Sequence, residues 1–208
     1  MLALFNIEQW LGSGGLGLLA AIVFAESGLL IGFFLPGDSL LFIAGFLSSN
    51  SGGNILPALP LVTGVTVIAA IAGDQVGYLF GKRVGPTLFG RPKSRLFNPQ
   101  HVVRAHEFFE KHGAKTIVIA RFVPIVRTFA PIVAGIGTMK YRKFVIYNIA
   151  GGLLWGVGVT SLGYFLGEID AVKNNIEIAI LVIVFVSLLP MVIEVNRHRR
   201  SAANASVR

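Results

Sequence analysis

Residues 16–47 read LGLLAAIVFAESGLLIGFFLPGDSLLFIAGFL, and the length of this run decides how the chain is organised. It is 32 residues of apolar sequence interrupted by Glu26, Asp38 and the pair Pro36-Gly37. As one helix it would extend roughly 48 Å at ~1.5 Å per residue, too long for one crossing of a hydrocarbon core ~30 Å thick. It is too short for two crossings of about 20 residues each plus a turn. Proline cannot continue the helical ladder, so the run predicts a hairpin of two half-helices that enter and leave by one face.

Residues 116–138 pose the same problem with the opposite charge. Here Ala120-Arg121-Phe122-Val123-Pro124 leads into Val126-Arg127-Thr128-Phe129-Ala130-Pro131, two bases and no acid, where the first run holds two acids and no base. The segment is long enough to cross, but both flanks are basic, and the positive-inside tendency keeps both on the cytoplasmic side. It therefore predicts a second re-entrant hairpin, broken at Pro124 and Pro131. An ionisable side chain at bilayer depth costs about 2.5–3.5 kcal/mol on insertion scales, so four left alone would cost on the order of 10 kcal/mol. Such groups need partners or water.

Composition sets the class. The chain has 208 residues, 54% hydrophobic and 13% charged, which excludes an ordinary soluble domain and indicates one polytopic membrane domain. The start, Met1 to Glu8, has no basic n-region and so predicts no cleaved signal peptide. With no cysteine there is no disulfide, thiolate site or cysteine nucleophile. The net charge of +8 is uneven: residues 1–81 contain no Lys or Arg, eight fall between Lys82 and Lys115, three between Lys140 and Lys143, and four between Arg197 and Arg208. Short basic blocks beside apolar spans read as an orientation signal, and nucleic acid is set aside as a partner.

The remaining segments follow from that frame. Residues 2–11 predict an interfacial helix anchored by Trp10, with Gly12-Ser13-Gly14-Gly15 as a loop. Residues 56–81 predict a crossing that carries Gly73, Gly77, Gly81 and Gly85, a ladder suited to close helix packing. Residues 98–113 predict an amphipathic surface helix, capped at Asn98, with Pro99 in its first turn and a stop at Gly113. Residues 144–166 cross outward to a loop with Glu168, Asp170 and Lys173. Residues 176–195 return, and the basic tail 196–208 stays cytoplasmic. Gly77-Tyr78-Leu79-Phe80-Gly81 recurs 86 residues later as Gly163-Tyr164-Phe165-Leu166-Gly167, and Phe34-Leu35-Pro36 recurs 88 residues later as Phe122-Val123-Pro124. The fold class expected is an all-α membrane protein of two inverted repeats, each a re-entrant helical hairpin plus a transmembrane helix, with an extra C-terminal transmembrane helix.

The charges support two readings. Glu26 and Asp38 with Arg121 and Arg127 would be structural salt bridges that hold the hairpins together, or a site in which the arginines take an anionic head group and the acids exchange protons. Apolar packing stabilises as well as a buried pair, which favours a functional reason for keeping them. Asp74 pairs with an arginine, serves a proton path, or bonds a neighbouring helix. Tyr78 and Tyr164 read as interfacial aromatics. His101, His106, His112 and His198 lie outside every expected span, with no metal spacing among them, and no nucleophile–base pair falls within a span. No metal or cofactor is expected, and no enzymatic activity.

Taken together, Glu26-Ser27-Gly28, Phe34-Leu35-Pro36-Gly37-Asp38-Ser39, Gly73-Asp74-x-x-Gly77-Tyr78 and Arg121-Phe122-x-Pro124-x-x-Arg127-Thr128 resemble the DedA family, also called VTT or SNARE-associated-like membrane proteins. The resemblance covers roughly residues 20–167. It implies two opposed re-entrant hairpins and a lipid translocase of the bacterial cytoplasmic membrane, moving undecaprenyl phosphate or phosphatidylethanolamine. By that resemblance Glu26 and Asp38 match the family's functional acids and Arg121 and Arg127 its functional arginines; together with the residue reading, Glu26, Asp38 and Asp74 are the proton-coupling candidates and Arg121 and Arg127 the phosphate or head-group ligands. Partners implied are the bilayer and its lipid, with a homo-oligomer allowed. A proton-coupled small-solute or ion antiporter, and a non-transporting scaffold, remain the alternatives.

Overall fold

The computed structural model describes residues 2–28, 37–89 and 107–175, together with 178, 181 and 182; residues 2–14, 86–89, 124, 125 and 173 are described by backbone alone. Phe34 to Pro36, Asn98, Pro99, His101, His106 and the tail 196–208 lie outside the described residues, as does most of the expected crossing 176–195.

The described residues form helices joined by turns and loops, with no strand among them. α1 spans Leu2–Gly28 and bends at Gly15 (φ 56°, ψ −150°). That backbone conformation is open to glycine and strained for any residue with a Cβ. A loop was expected at 12–15; the helical backbone instead continues to residue 14, and the break between it and the helix that follows is confined to Gly15. α2, Gly37–Leu47, is apolar on all sides and every residue but Asp38 is buried, as a helix without a polar face must be. α3 spans Leu59–Phe89, past Lys82 and Arg83, where the crossing was expected to end. A helical segment at 107–112 stops at Gly113 (φ 74°). α4 (Thr116–Ala120), α5 (Pro124–Ile136), α6 (Tyr141–Gly167) and α7 (Asp170–Lys173) follow.

Among the described residues, α3 and α6 are the helices long and apolar enough to cross a bilayer, each with an apolar stretch of 27 residues. Less than half of the most apolar window of each is buried. Large side chains such as Ile68, Phe80, Ile146, Leu154, Leu162 and Phe165 point outward, while Glu26, Asp74, Arg121, Arg127, Asn148 and Thr160 are inside. That reverses the distribution of a water-soluble protein and suits hydrocarbon as the surrounding medium. The stretch of α1 after its bend, Gly15–Gly28, has 14 residues, α2 has 11 and α5 has 13. At ~1.5 Å per residue each falls short of the ~30 Å core.

Packing is crossed. α1 lies against α3 and α4 against α6, whereas α2 packs chiefly on α6 and α5 on α3. Glycines set these contacts. A Cβ on Gly45 would overlap the Thr160 carbonyl, and one on Gly163 that of Phe42, which joins α2 to α6 backbone to backbone. Gly135 meets the Tyr78 carbonyl and Gly81 that of Ile132, joining α5 to α3 in the same manner. The ladder in α3 thus serves two neighbours: Gly73 faces α1 at Gly28, while Gly77, Gly81 and Gly85 face α5.

Two sequence expectations are corrected here. Tyr78 is not interfacial. It is buried, stacked on Phe144 at 4.4 Å between centroids, and donates its hydroxyl hydrogen bond to the Met139 carbonyl at 2.6 Å. The turn between α5 and α6 leaves that carbonyl unpaired, so the phenol has a partner in the interior. Pro131 does not break the second hairpin either; it sits inside α5, and the break is the turn at 121–123, with Pro124 opening the helix that follows.

Candidate functional site

The five intramembrane charges gather into two centres. Glu26 lies in the last turn of α1, Asp38 in the first turn of α2 and Arg127 in the first turn of α5. Arg127 donates from Nη1 to Asp38 Oδ1 at 2.6 Å and from Nη2 to Glu26 Oε1. One guanidinium therefore spans both acids, using the fork geometry that an ammonium lacks. Glu26 is 1% exposed and Arg127 7%. Among the described residues the other carboxylate oxygen, Glu26 Oε2, has no side-chain partner and lies against Gly37 at the amino end of α2.

Local structure explains the placement. The amino end of α2 presents unpaired N–H groups and the positive end of its dipole, a favourable seat for two carboxylates. Gly37 is required there, since a Cβ would overlap the Glu26 carboxylate. Arg127 near the amino end of α5 stands against that helix's own dipole, and the two acids offset the conflict.

Arg121 forms the second centre from the turn between α4 and α5. Its Nη2 donates to Asp74 Oδ2 of α3 and to Asn148 Oδ1 of α6, the latter at 2.5 Å. Asn148 in turn donates from Nδ2 to the Ile71 carbonyl at 3.2 Å. Gly151 gives the arginine room, because a Cβ there would lie 2.9 Å from Arg121 Cδ. Arg121 and Asp74 are each 3% exposed.

All five candidate residues thus find ionic partners, Asp74 with Arg121 and Glu26 and Asp38 with Arg127. Two participants were not anticipated. Trp155 donates from Nε1 to Asp38 Oδ1 at 2.7 Å and places its ring 4.8 Å from Arg127 Cζ. Asn148 completes the second centre. A polar Asn within an apolar 27-residue helix was the available signal for Asn148; Trp155 gave none without knowledge of its face. Of the histidines, His112 is exposed, with its ring against Phe108.

Long outward-facing apolar helices around a buried ionic interior define a multi-helix integral membrane protein. The VTT domain model matches residues 35–165. Protein DedA of Escherichia coli strain K12 is 49% identical over 189 residues, 91% of this chain and 85% of its own length. An uncharacterized membrane protein of Mycobacterium tuberculosis strain H37Rv is 46% identical over 207 residues, with 94% and 88% covered. The inner membrane protein YghB of Salmonella typhimurium is 36% identical over 171 residues, with 82% and 75% covered. No solved structure matches. The chain belongs to the DedA family of VTT-domain membrane proteins.

Proposed function

We propose that this protein is a lipid translocase of the bacterial cytoplasmic membrane, moving an anionic phospholipid or a polyprenyl phosphate such as undecaprenyl phosphate. The observation that carries the reading is Arg127, a buried guanidinium bridging two carboxylates where helices too short to span the bilayer converge. A lipid phosphate presents the same pair of acceptor oxygens, so it competes for the same fork. Its tails stay in hydrocarbon beside the outward apolar faces.

In this reading α1 with α2, and α4 with α5, are re-entrant hairpins opened toward opposite faces. α3 and α6 are the crossings of two inverted repeats, and the C-terminus is cytoplasmic. The crossed packing, with each second hairpin arm lying on the other unit's long helix, is consistent with that symmetry. Glu26, Asp38 and Asp74 against Arg121 and Arg127 leave one net negative charge when all are ionised. One proton would neutralise the centre, and Glu26, whose Oε2 has no side-chain partner among the described residues, is the acid assigned to receive it. Neutral Glu26 holds Arg127 less tightly, which frees the fork for phosphate. The role assigned is transport, with no chemical step.

Proteoliposomes test this directly, by comparing movement of labelled lipid with flux of small ions. Lipid movement that needs Arg127 supports the translocase; ion flux with static lipid replaces it with the antiporter. Single cysteines at Gly113 and Tyr141 in this cysteine-free chain test the second hairpin. Accessibility from one side is expected, and accessibility from opposite sides overturns the re-entrant topology.

A further inference from the structure

Trp155 lies on neither hairpin, yet touches both of their charged ends. It is 2% exposed, in the middle of α6. Its indole N–H donates to the same oxygen, Asp38 Oδ1, that Arg127 Nη1 contacts, and its ring lies beside the Arg127 guanidinium carbon. Both members of the pair are therefore held by one rigid side chain, through a charge-assisted hydrogen bond and a cation–π contact.

We propose that Trp155 is the positioning residue that lets Arg127 exchange a carboxylate for a lipid phosphate. This rests on the translocase reading above. When Arg127 turns toward a phosphate, Asp38, whose side chain is 17% exposed, would lose its charged donor in a site largely closed to solvent, the costly half of the exchange. The indole N–H remains on Asp38 Oδ1 throughout and keeps that oxygen satisfied. The ring meanwhile keeps the guanidinium over an electron-rich face as its ionic partner changes. The other anchor, Asn148, sits two turns earlier in α6 and holds Arg121, so one helix sets the position of both arginines.

The chain has two tryptophans, Trp10 and Trp155, so Trp10→Phe leaves Trp155 as the sole indole fluorophore. The probe is phosphatidylcholine vesicles carrying increasing dioleoyl phosphatidate, a phosphate monoester on a lipid. In the Trp10→Phe protein, Trp155 emission should shift saturably with phosphatidate and stay constant in phosphatidylcholine alone. Trp155→Phe, made in the natural chain, keeps a ring and removes the N–H. It should raise the phosphatidate fraction for half-maximal lipid movement about tenfold while the maximal rate stays within about twofold. Trp155→Leu, which removes ring and donor, should be worse on both measures. Flat Trp155 emission in a protein that still moves phosphatidate overturns the proposal, as does an unchanged half-saturation in a folded Trp155→Phe protein. The emission test needs no substitution at 155, so a misfolded variant does not blunt it. A saturable emission change without lipid movement keeps the positioning role and removes the translocase reading.

Discussion

The two buried ionic centres use the same chemistry for different connections. The Arg127 centre joins three short helices at their ends, with two acids on one base and one carboxylate oxygen without a side-chain partner among the described residues. The Arg121 centre joins the long helices α3 and α6 to a turn, with one acid on one base and a neutral amide that is itself hydrogen-bonded. The first has one acid more than it has bases and gathers helix ends. The second is matched in charge and ties the turn at 121–123 to the interiors of α3 and α6, with Arg121 Nε left over. In the translocase reading proposed above, the matched centre is assigned the part of a brace and the unmatched one that of the place where partners are exchanged.

The sharpest way to break that distinction is at the arginines. Arg127→Ala leaves Glu26 and Asp38 buried together without their base. We expect lipid movement to be abolished and stability to fall by about 3–5 kcal/mol, the usual loss when one member of a buried pair is removed. Reconstituted transport and thermal unfolding in detergent measure the two effects. Arg127→Lys separates them: it retains charge but cannot fork between two acceptors, so transport should fall at least tenfold with much of the stability kept. A variant that transports normally would reduce the first centre to a brace.

Asp74→Asn tests the second centre. It removes the charge opposite Arg121 while Asn148 still accepts one hydrogen bond, so the loss should be smaller, about 2–3 kcal/mol. Turnover per folded molecule should stay near normal. Full stability with abolished transport would move Asp74 into the exchange site and erase the contrast. Asn148→Ala comes next, with about 1–2 kcal/mol lost by chemical denaturation, since Arg121 keeps Asp74.

The smallest effect concerns a latch outside the membrane helices. Glu168, just past α6, accepts from Ser51 N–H at 3.1 Å and Ser51 Oγ–H at 3.0 Å, fastening the loop between α2 and α3. The Ser51 backbone N–H, helped by its hydroxyl, holds the Glu168 carboxyl below its ordinary value. The contribution is therefore complete above the usual carboxylate range and lost as pH falls through the lowered value. Ser51→Ala should quicken amide exchange in residues 48–58 at neutral pH and leave global unfolding unchanged. Acidification should lower the protection of the same amides in the natural chain, measured against their intrinsic exchange rate at each pH.

Much of this was legible because charge inside an apolar run has few explanations. Glu26, Asp38, Asp74, Arg121 and Arg127 announced a buried ionic site, and the length of residues 16–47 announced short helices. The pairing did not follow from sequence, since either arginine could have met any acid. Trp155 was invisible because tryptophan is ordinary in a membrane helix and its face is set only by packing against α2 and α3. Tyr78 was misread for a related reason: sequence places an aromatic near a helix end without showing that α5 and α6 close over it. The break near residue 15 was legible in the cluster of glycines, but its narrowness was not, because a single glycine at positive φ is enough to separate the two helices.

Pro131 gives the final consequence. In an α-helix the amide of residue 131 would bond the carbonyl of Arg127, and proline has no amide hydrogen to offer. The turn that carries the guanidinium is thus fastened to the remainder of α5 by one bond fewer, while Gly135, a turn further along, is clamped against the Tyr78 backbone. The first turn of α5 is therefore held in place less by its own helix ladder than by Glu26, Asp38 and Trp155, whereas the second half is held by its backbone seam with α3.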